Sequence, residues 1–300
     1  MLSSRECITW TTIYSIEHVA IVTSNIIAII AFMKNRKLLK RSTYLLLNLA
    51  IVDMLVGFTG PWTVYEFGMY CELWKGPIKW WEKYPFPPIF RLTVAISSVL
   101  NITVISLERL HATIRPFAHR YVKKWVYWVI IAVSYLIAAL FPVFSFFMPL
   151  IYSLERPFNT ISSFTLVCIM IIFISYFTIL IKVKCSPQPR HHVAAVREKR
   201  LTVTLFIVTF VSLLMWLPFI VQSFLWYKSE SFRSYSSHLN GLIITLIGVN
   251  SLVNPLFYVI RIPEFKRTVK ALFCKTTQQR QVVVPPLQAM KQWYLSHEYL

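Results

Sequence analysis

A chain of 300 residues that is 56% hydrophobic and 14% charged, with a mean hydropathy of +0.58, has too little polar surface for a soluble domain; lipid is its expected solvent. Lys and Arg outnumber Asp and Glu by 31 to 12, a balance that in a soluble protein would point to nucleic acid. Here the basic residues follow the connections between apolar stretches and form no contiguous face, which argues against nucleic-acid binding.

Residues 1–12 carry charges and no apolar core, so they are expected to lie outside the membrane, with the first span acting as the insertion signal. Seven apolar stretches follow, each long enough to cross a bilayer at roughly 20 residues per crossing. They are expected at about 13–33, 42–66, 88–112, 125–148, 161–183, 201–226 and 237–260. Helices are expected in all seven, because hydrocarbon admits only helices or closed barrels and the period-2 alternation of a barrel is absent. The reading is therefore an all-α, seven-transmembrane helix bundle over residues 13–260. Residues 261–300 form a tail with a short amphipathic helix at about 263–274, where Pro263 suits a first helical turn and Phe265, Val269, Leu272 and Phe273 share one face.

Basic residues crowd the first, third and fifth connections and the tail: Arg36, Lys37 and Arg41, then Arg115, Arg120 and Lys123, then Arg190, Arg197 and Arg200, then Lys266, Arg267 and Lys270. The N-terminal segment and the even-numbered connections hold few. By the positive-inside rule the tail is cytoplasmic and the N-terminus extracellular. The five cysteines, Cys7, Cys71, Cys168, Cys185 and Cys274, show no metal-ligand spacing.

An ionisable group near the bilayer centre costs about 2.5–3.5 kcal/mol on insertion scales, so one inside a span asks for a reason. Asp53, the one Asp of the chain, sits in the middle of the second span. Asn25 in span 1, Ser98 in span 3, and Asn250, Ser251 and Asn254 in span 7 are its expected company. Such a set either glues helices together or makes a cation or proton site. Arg109, at the inner end of span 3, reads as a helix-end anchor or as one half of a latch with Glu198 at the inner start of span 6. Pro61, Pro142, Pro218 and Pro255 fall within spans and should kink them or weaken a turn, with Trp216 one turn from the span-6 proline.

Taken in order, these residues resemble the rhodopsin-like family of G protein-coupled receptors. Asn25 fits the span-1 Asn, Leu49-Ala50-Ile51-Val52-Asp53 the LAxxD of span 2, Glu108-Arg109-Leu110 the DRY position, and Trp128 the span-4 Trp. Tyr176 fits the span-5 Tyr, Trp216-Leu217-Pro218 the WxP of span 6, and Asn254-Pro255-Leu256-Phe257-Tyr258 the NPxxY of span 7. The resemblance implies a plasma-membrane receptor that passes ligand binding to a heterotrimeric G protein. It implies sodium held by Asp53, Ser98, Asn250, Ser251 and Asn254, and a switch built from Glu108, Arg109, Glu198, Tyr176, Trp216, Pro218, Asn254, Pro255 and Tyr258. It implies no enzymatic chemistry and no further cofactor. Cys274 is a candidate palmitoylation site or an unmodified thiol.

The sequence departs from the family at the usual outer disulfide: the span-3 position, 25 residues before Arg109, is Tyr84. Cys7 and Cys71, the two cysteines expected outside, are a candidate pair instead. Eighteen residues before Arg109, five helical turns along the same face, stands Arg91, where amine receptors of this fold carry Asp. Arg91 either snorkels, pairing with Glu66 or Glu82, or meets an acidic ligand or peptide; it would repel a monoamine. Tyr65, Ala95, Trp216, Phe219, Ser223 and Asn240 complete the expected ligand site. Rival readings are a small transporter and a receptor-like protein with weak or no coupling, the first opposed by a single buried acid and no repeat between halves.

Overall fold

The computed structural model describes residues 3–35, 43–74, 86–152, 157–185, 203, 206–207, 210–223 and 237–273. Six helices in it are long and apolar enough to cross a membrane, and a shorter apolar helix, Phe210–Ser223, lies in the expected sixth span. Among the described residues there is no strand.

The first helix, α1 (Ser4–Lys34), opens on a capping box: Glu6 N–H donates to Ser3 Oγ at 3.4 Å, and Ser3 N–H donates to Glu6 Oε2 at 2.7 Å. No Gly or Pro follows until Asn35, so the helix runs unbroken into the span. The expected outer segment 1–12 is thus helical from Ser4 onward, a correction to the expected start at 13 that the capping box explains.

The second span is two helices, α2 (Thr43–Phe58) and α3 (Gly60–Tyr70). Pro61 has no N–H to give Gly57 O, four residues back, and the chain turns at Val56 O, which accepts from Thr59 N–H at 3.0 Å and from the Thr59 hydroxyl at 2.7 Å. Gly60 lets the break sit against α1, since a Cβ there would lie 2.6 Å from the His18 side chain.

Span 3 is α4 (Phe86–Ile114), which packs against α2, α6 and α7 and so forms the bundle's centre. A short helix, α5 (Pro116–Tyr121), absent from the expectation, starts at Pro116 and leads to α6 (Lys124–Tyr152), the fourth span. The fifth is α7 (Pro157–Cys185), the described part of the sixth is α8 (Phe210–Ser223), and the seventh is α9 (Ser237–Arg261). Pro142 and Pro255 interrupt neither α6 nor α9; each removes one backbone donor from a helix that continues.

The outward faces of α6 and α7 show Trp128, Val133, Leu136 and Leu140, and Val167, Phe173 and Phe177, all exposed in the bundle and suited to hydrocarbon. Lipid tails are as apolar as these side chains, so helix association rests on packing and buried hydrogen bonds. The half of the bundle next to the tail helix supplies the main packed cluster, in which Phe32, Leu45, Leu49, Ile105, Tyr176 and Tyr258 meet. The tail helix, α10 (Pro263–Phe273), joins it through Phe265, fully buried between Phe32 and Tyr258 at ring separations of 4.9 and 5.7 Å. Asn35 Nδ2 donates to Thr268 Oγ1 at 3.0 Å and fixes the tail helix to the end of span 1.

Candidate functional site

Asp53 is completely buried and joins three spans. Its Oδ1 accepts from Ser98 Oγ of span 3 at 3.3 Å and from Ser251 Oγ of span 7 at 2.8 Å, and its Oδ2 accepts from Asn254 Nδ2 at 2.7 Å. Asn25 extends the network from span 1, its Nδ2 donating to the backbone oxygens of Ile21 and Ser251 at 2.9 and 3.1 Å. Asn250 is buried beside them but does not join: its Oδ1 meets no donor, and the same holds for the Oδ1 atoms of Asn25 and Asn254. Three buried amide oxygens on the residues around the Asp53 carboxylate thus lack donors. That is a poor arrangement for a dry polar core and a suitable one for a hard cation, whose ligands are oxygens.

Above this network lies a cavity of about 80 Å³. Arg91, Ala95 and Trp216 line it, as do Ser98, Asn250 and Ser251, so its floor is continuous with the Asp53 cluster. The indole Nε1 of Trp216 is buried without a partner, and its ring meets Phe219 edge-on at 5.9 Å. Arg91 Nη1 donates to Glu66 Oε2, the pairing that the sequence left open.

Tyr65, Phe219, Ser223 and Asn240, expected in the ligand site, do not line this cavity. After the break at Thr59, α3 turns Tyr65 outward, where it stacks on Trp74 at 6.4 Å. Ser223 spends its hydroxyl on Phe219 O at 2.8 Å, and Asn240 accepts from Gln222 across the α8–α9 contact. The cavity takes instead residues that the sequence does not single out, among them the polar His18 of α1, Thr63 of α3 and Thr59 at the break between α2 and α3.

At the inner end of α4, Arg109 is buried and its Nε and Nη2 donate to the carboxylate of Glu108, the Nη2 bond to Oε1 at 2.6 Å. Tyr127 OH of α6 lies 3.4 Å from Glu108 Oε1, and His119 Nε2 of α5 lies 3.3 Å from the same atom. Glu108 therefore ties the span-3 arginine to both the connecting helix and span 4. Neither Tyr127 nor His119 was picked out from the sequence; their signal was a hydroxyl and an imidazole within one turn of a helix start beside the Glu-Arg pair. Glu198, the expected latch partner, and Cys274, the expected lipidation site, fall outside the described residues. Tyr176 packs edge-on to Phe206 at 5.4 Å, and Tyr258 is buried with its hydroxyl unpaired.

At the N-terminal end of α1, Cys7 and Cys71 form a disulfide with Cα atoms 5.9 Å apart, which pins α1 to the end of α3. Tyr14 OH donates to Gly241 O at 3.3 Å, and His238 Nε2 lies 3.2 Å from Glu6 Oε1, so the outer half of α1 is also held to the start of α9.

Comparison with known proteins agrees with this geometry. The chain is 28% identical over 111 residues to the octopamine receptor Oamb of Drosophila melanogaster, which is 34% of this chain and 15% of that protein. It is 30% identical over 106 residues to neuromedin-U receptor 2 of Mus musculus, 35% of this chain and 26% of that protein. The matched stretches thus span about a quarter or less of those relatives' lengths. The profile of a family described as 7 transmembrane receptor (rhodopsin family), whose members are receptors and not enzymes, matches residues 24–258. A match that begins in span 1 and ends on the NPxxY tyrosine of span 7 takes in most of the chain, which therefore belongs to the rhodopsin family of seven transmembrane receptors.

Proposed function

We propose that this chain is a plasma-membrane receptor, with its N-terminus extracellular and its tail cytoplasmic, that converts the binding of an extracellular ligand into activation of a heterotrimeric G protein. The observation that carries the reading is the continuous polar path from the cavity through Ser98 and Ser251 to Asp53 and on to the span-7 Asn254-Pro255 turn. A ligand in the cavity that binds one arrangement of spans 3, 6 and 7 better than another shifts the inner ends of those helices by its differential affinity alone. Arg109 is the group that leaves Glu108, and in the same step Glu198, to meet the G protein.

The ligand class that fits is an acidic small molecule or a peptide. Arg91 places a guanidinium on the span-3 wall, and Glu66 takes one of its five donors. A simple monoamine at that position would meet like charge. Sodium fits the Asp53 cluster on the evidence of its donor-poor oxygens, with Asp53, Ser98, Asn250, Ser251 and Asn254 holding it. When bound, the ion supplies the positive charge that these oxygens lack.

A panel of G protein sensors in cells expressing the receptor, challenged with acidic metabolites and peptides, tests the function. Activation by at least one agonist that disappears in Arg109→Ala, with surface expression retained, is the expected result. A response unchanged by Arg109→Ala would refute the switch assignment. Sensors silent to every agonist and at rest, set beside ligand-free ion flux, would favour the transporter reading.

A further inference from the structure

Span 1 carries a second buried acid that the switch does not use. Glu17 is 7% exposed and faces α9 at Gly248, where a Cβ would lie 2.5 Å from Glu17 Oε1. The carboxylate thus rests on bare glycine backbone. Neither of its oxygens has a hydrogen-bond partner, and the backbone amide of Val249 is the polar group turned toward it. A buried carboxylate without a partner is among the costliest arrangements in a protein interior, and a span retains one where something else completes it.

The place of this acid says what would complete it. Gly248, which it covers, and His18, its neighbour along α1, both line the cavity. His18 Nδ1 lies 2.8 Å from Tyr14 O. A carbonyl only accepts, so Nδ1 carries the proton and Nε2 is left as an acceptor. The span-1 side of the cavity therefore offers the imidazole nitrogen as an acceptor, with the Glu17 carboxylate behind the Gly248 backbone just outside the lining, and the complement of the two is a cation bearing donors. Asp53 does not fill that role, because its own oxygens already accept from Ser98, Ser251 and Asn254. On the opposite wall Arg91 and Glu66 pair with each other.

We propose that Glu17 is the counter-charge of a subsite between spans 1 and 7 that takes the protonated amine of the extracellular ligand. The assignment rests on the receptor reading above and sharpens it: an amine at Glu17 with an acid at Arg91 describes a zwitterion, such as an amino-acid-like molecule or a peptide end. Gly248, whose backbone the carboxylate rests on, is the residue that the cavity and Glu17 share.

The test uses methylammonium, an amine small enough for the cavity, with the purified full-length receptor in detergent micelles at constant sodium. The expected result is a saturable rise in unfolding temperature of about 2–4 °C with methylammonium chloride and none with equal added sodium chloride. Glu17→Gln should lose the rise, and Asp53→Asn should keep it. Gly248→Ala, which puts a Cβ against the carboxylate, should weaken it and serves where Glu17→Gln fails to fold. No saturable rise in the wild type, an undiminished rise in Glu17→Gln or Gly248→Ala, or a rise lost in Asp53→Asn, overturns the proposal. G protein activation is not read in this experiment, so its failure is separable from failure of the receptor reading.

Discussion

Three donors from two helices converge on Asp53, and removing the carboxylate strands all of them in a place that water does not reach freely. Each unsatisfied buried donor costs about 1–3 kcal/mol, partly relieved by rearrangement, so Asp53→Ala should destabilise the receptor by about 2–4 kcal/mol. Asp53→Asn keeps one acceptor oxygen and should cost less, while abolishing any sodium dependence of agonist affinity or of unfolding temperature. Sodium dependence in the wild type that survives Asp53→Asn would move the ion elsewhere. Arg91 and Glu66 are a contrasting case: Arg91 is 38% exposed, and a double-mutant cycle on the pair should give about 0–1 kcal/mol of coupling. Asp53 and its partners were legible in the sequence, because a lone acid in the middle of a span stands out and the oxygens able to meet it are few. Glu17 was not, for a physical reason. With the first span expected to start at 13, Glu17 falls at its edge, where an acid costs little. The capped helix begins at Ser4 and turns that edge into interior.

Elements follow the same logic one level up. Hydropathy located the spans, since a bilayer-length apolar run admits no structure but a helix. It did not locate the break in span 2, because Pro61 alone is compatible with a kink; the separation into α2 and α3 goes with a turn at Val56 O, which takes both the amide and the hydroxyl of Thr59, and with Gly60 admitting His18. Nor did it show α5, whose six residues are too few for any periodicity to register. The outer half of α1 is held by the Cys7–Cys71 bond, which joins residues 64 apart in sequence. Loss of a crosslink over a loop of this length costs about 4 kcal/mol in the chain-entropy account. Cys7→Ser and Cys71→Ser should lower the unfolding temperature equally, and the double variant no further. Additive losses would mean that the two thiols act separately. At the other end of the bundle, Phe265→Ala should undock α10 from Phe32 and Tyr258, at about 3–5 kcal/mol for a buried ring. Hydrogen exchange would then show α10 amides unprotected while α9 remains protected.

At the scale of the whole molecule the bundle has a fixed side and a side built to move. Span 1, with the disulfide, the Tyr14 contact to Gly241, the Asn25 bonds and the docked tail helix, is anchored at both ends and in the middle. Span 3 packs along spans 4 and 5, and at its end the carboxylate of Glu108 serves Arg109, Tyr127 and His119 together. If the receptor rests in this arrangement, the charge on Glu108 is what holds Arg109 away from a G protein. Glu108→Gln keeps the shape and an acceptor oxygen but removes the charge, and a hydrogen bond to a charged group is worth about 1.5–3 kcal/mol. Shifting a two-state equilibrium by that amount changes the population ratio by about 10- to 100-fold. Ligand-free G protein activation per receptor at the cell surface should rise accordingly, toward a ceiling set by full occupancy of the active state. His119→Ala removes one of the three contacts and should produce a smaller rise in the same direction. A Glu108→Gln receptor whose basal activity stays level with the wild type, while an agonist still activates it, would mean that Arg109 is restrained by another group. Glu198, the acid that the sequence places at the inner start of span 6, would then be the residue to substitute next.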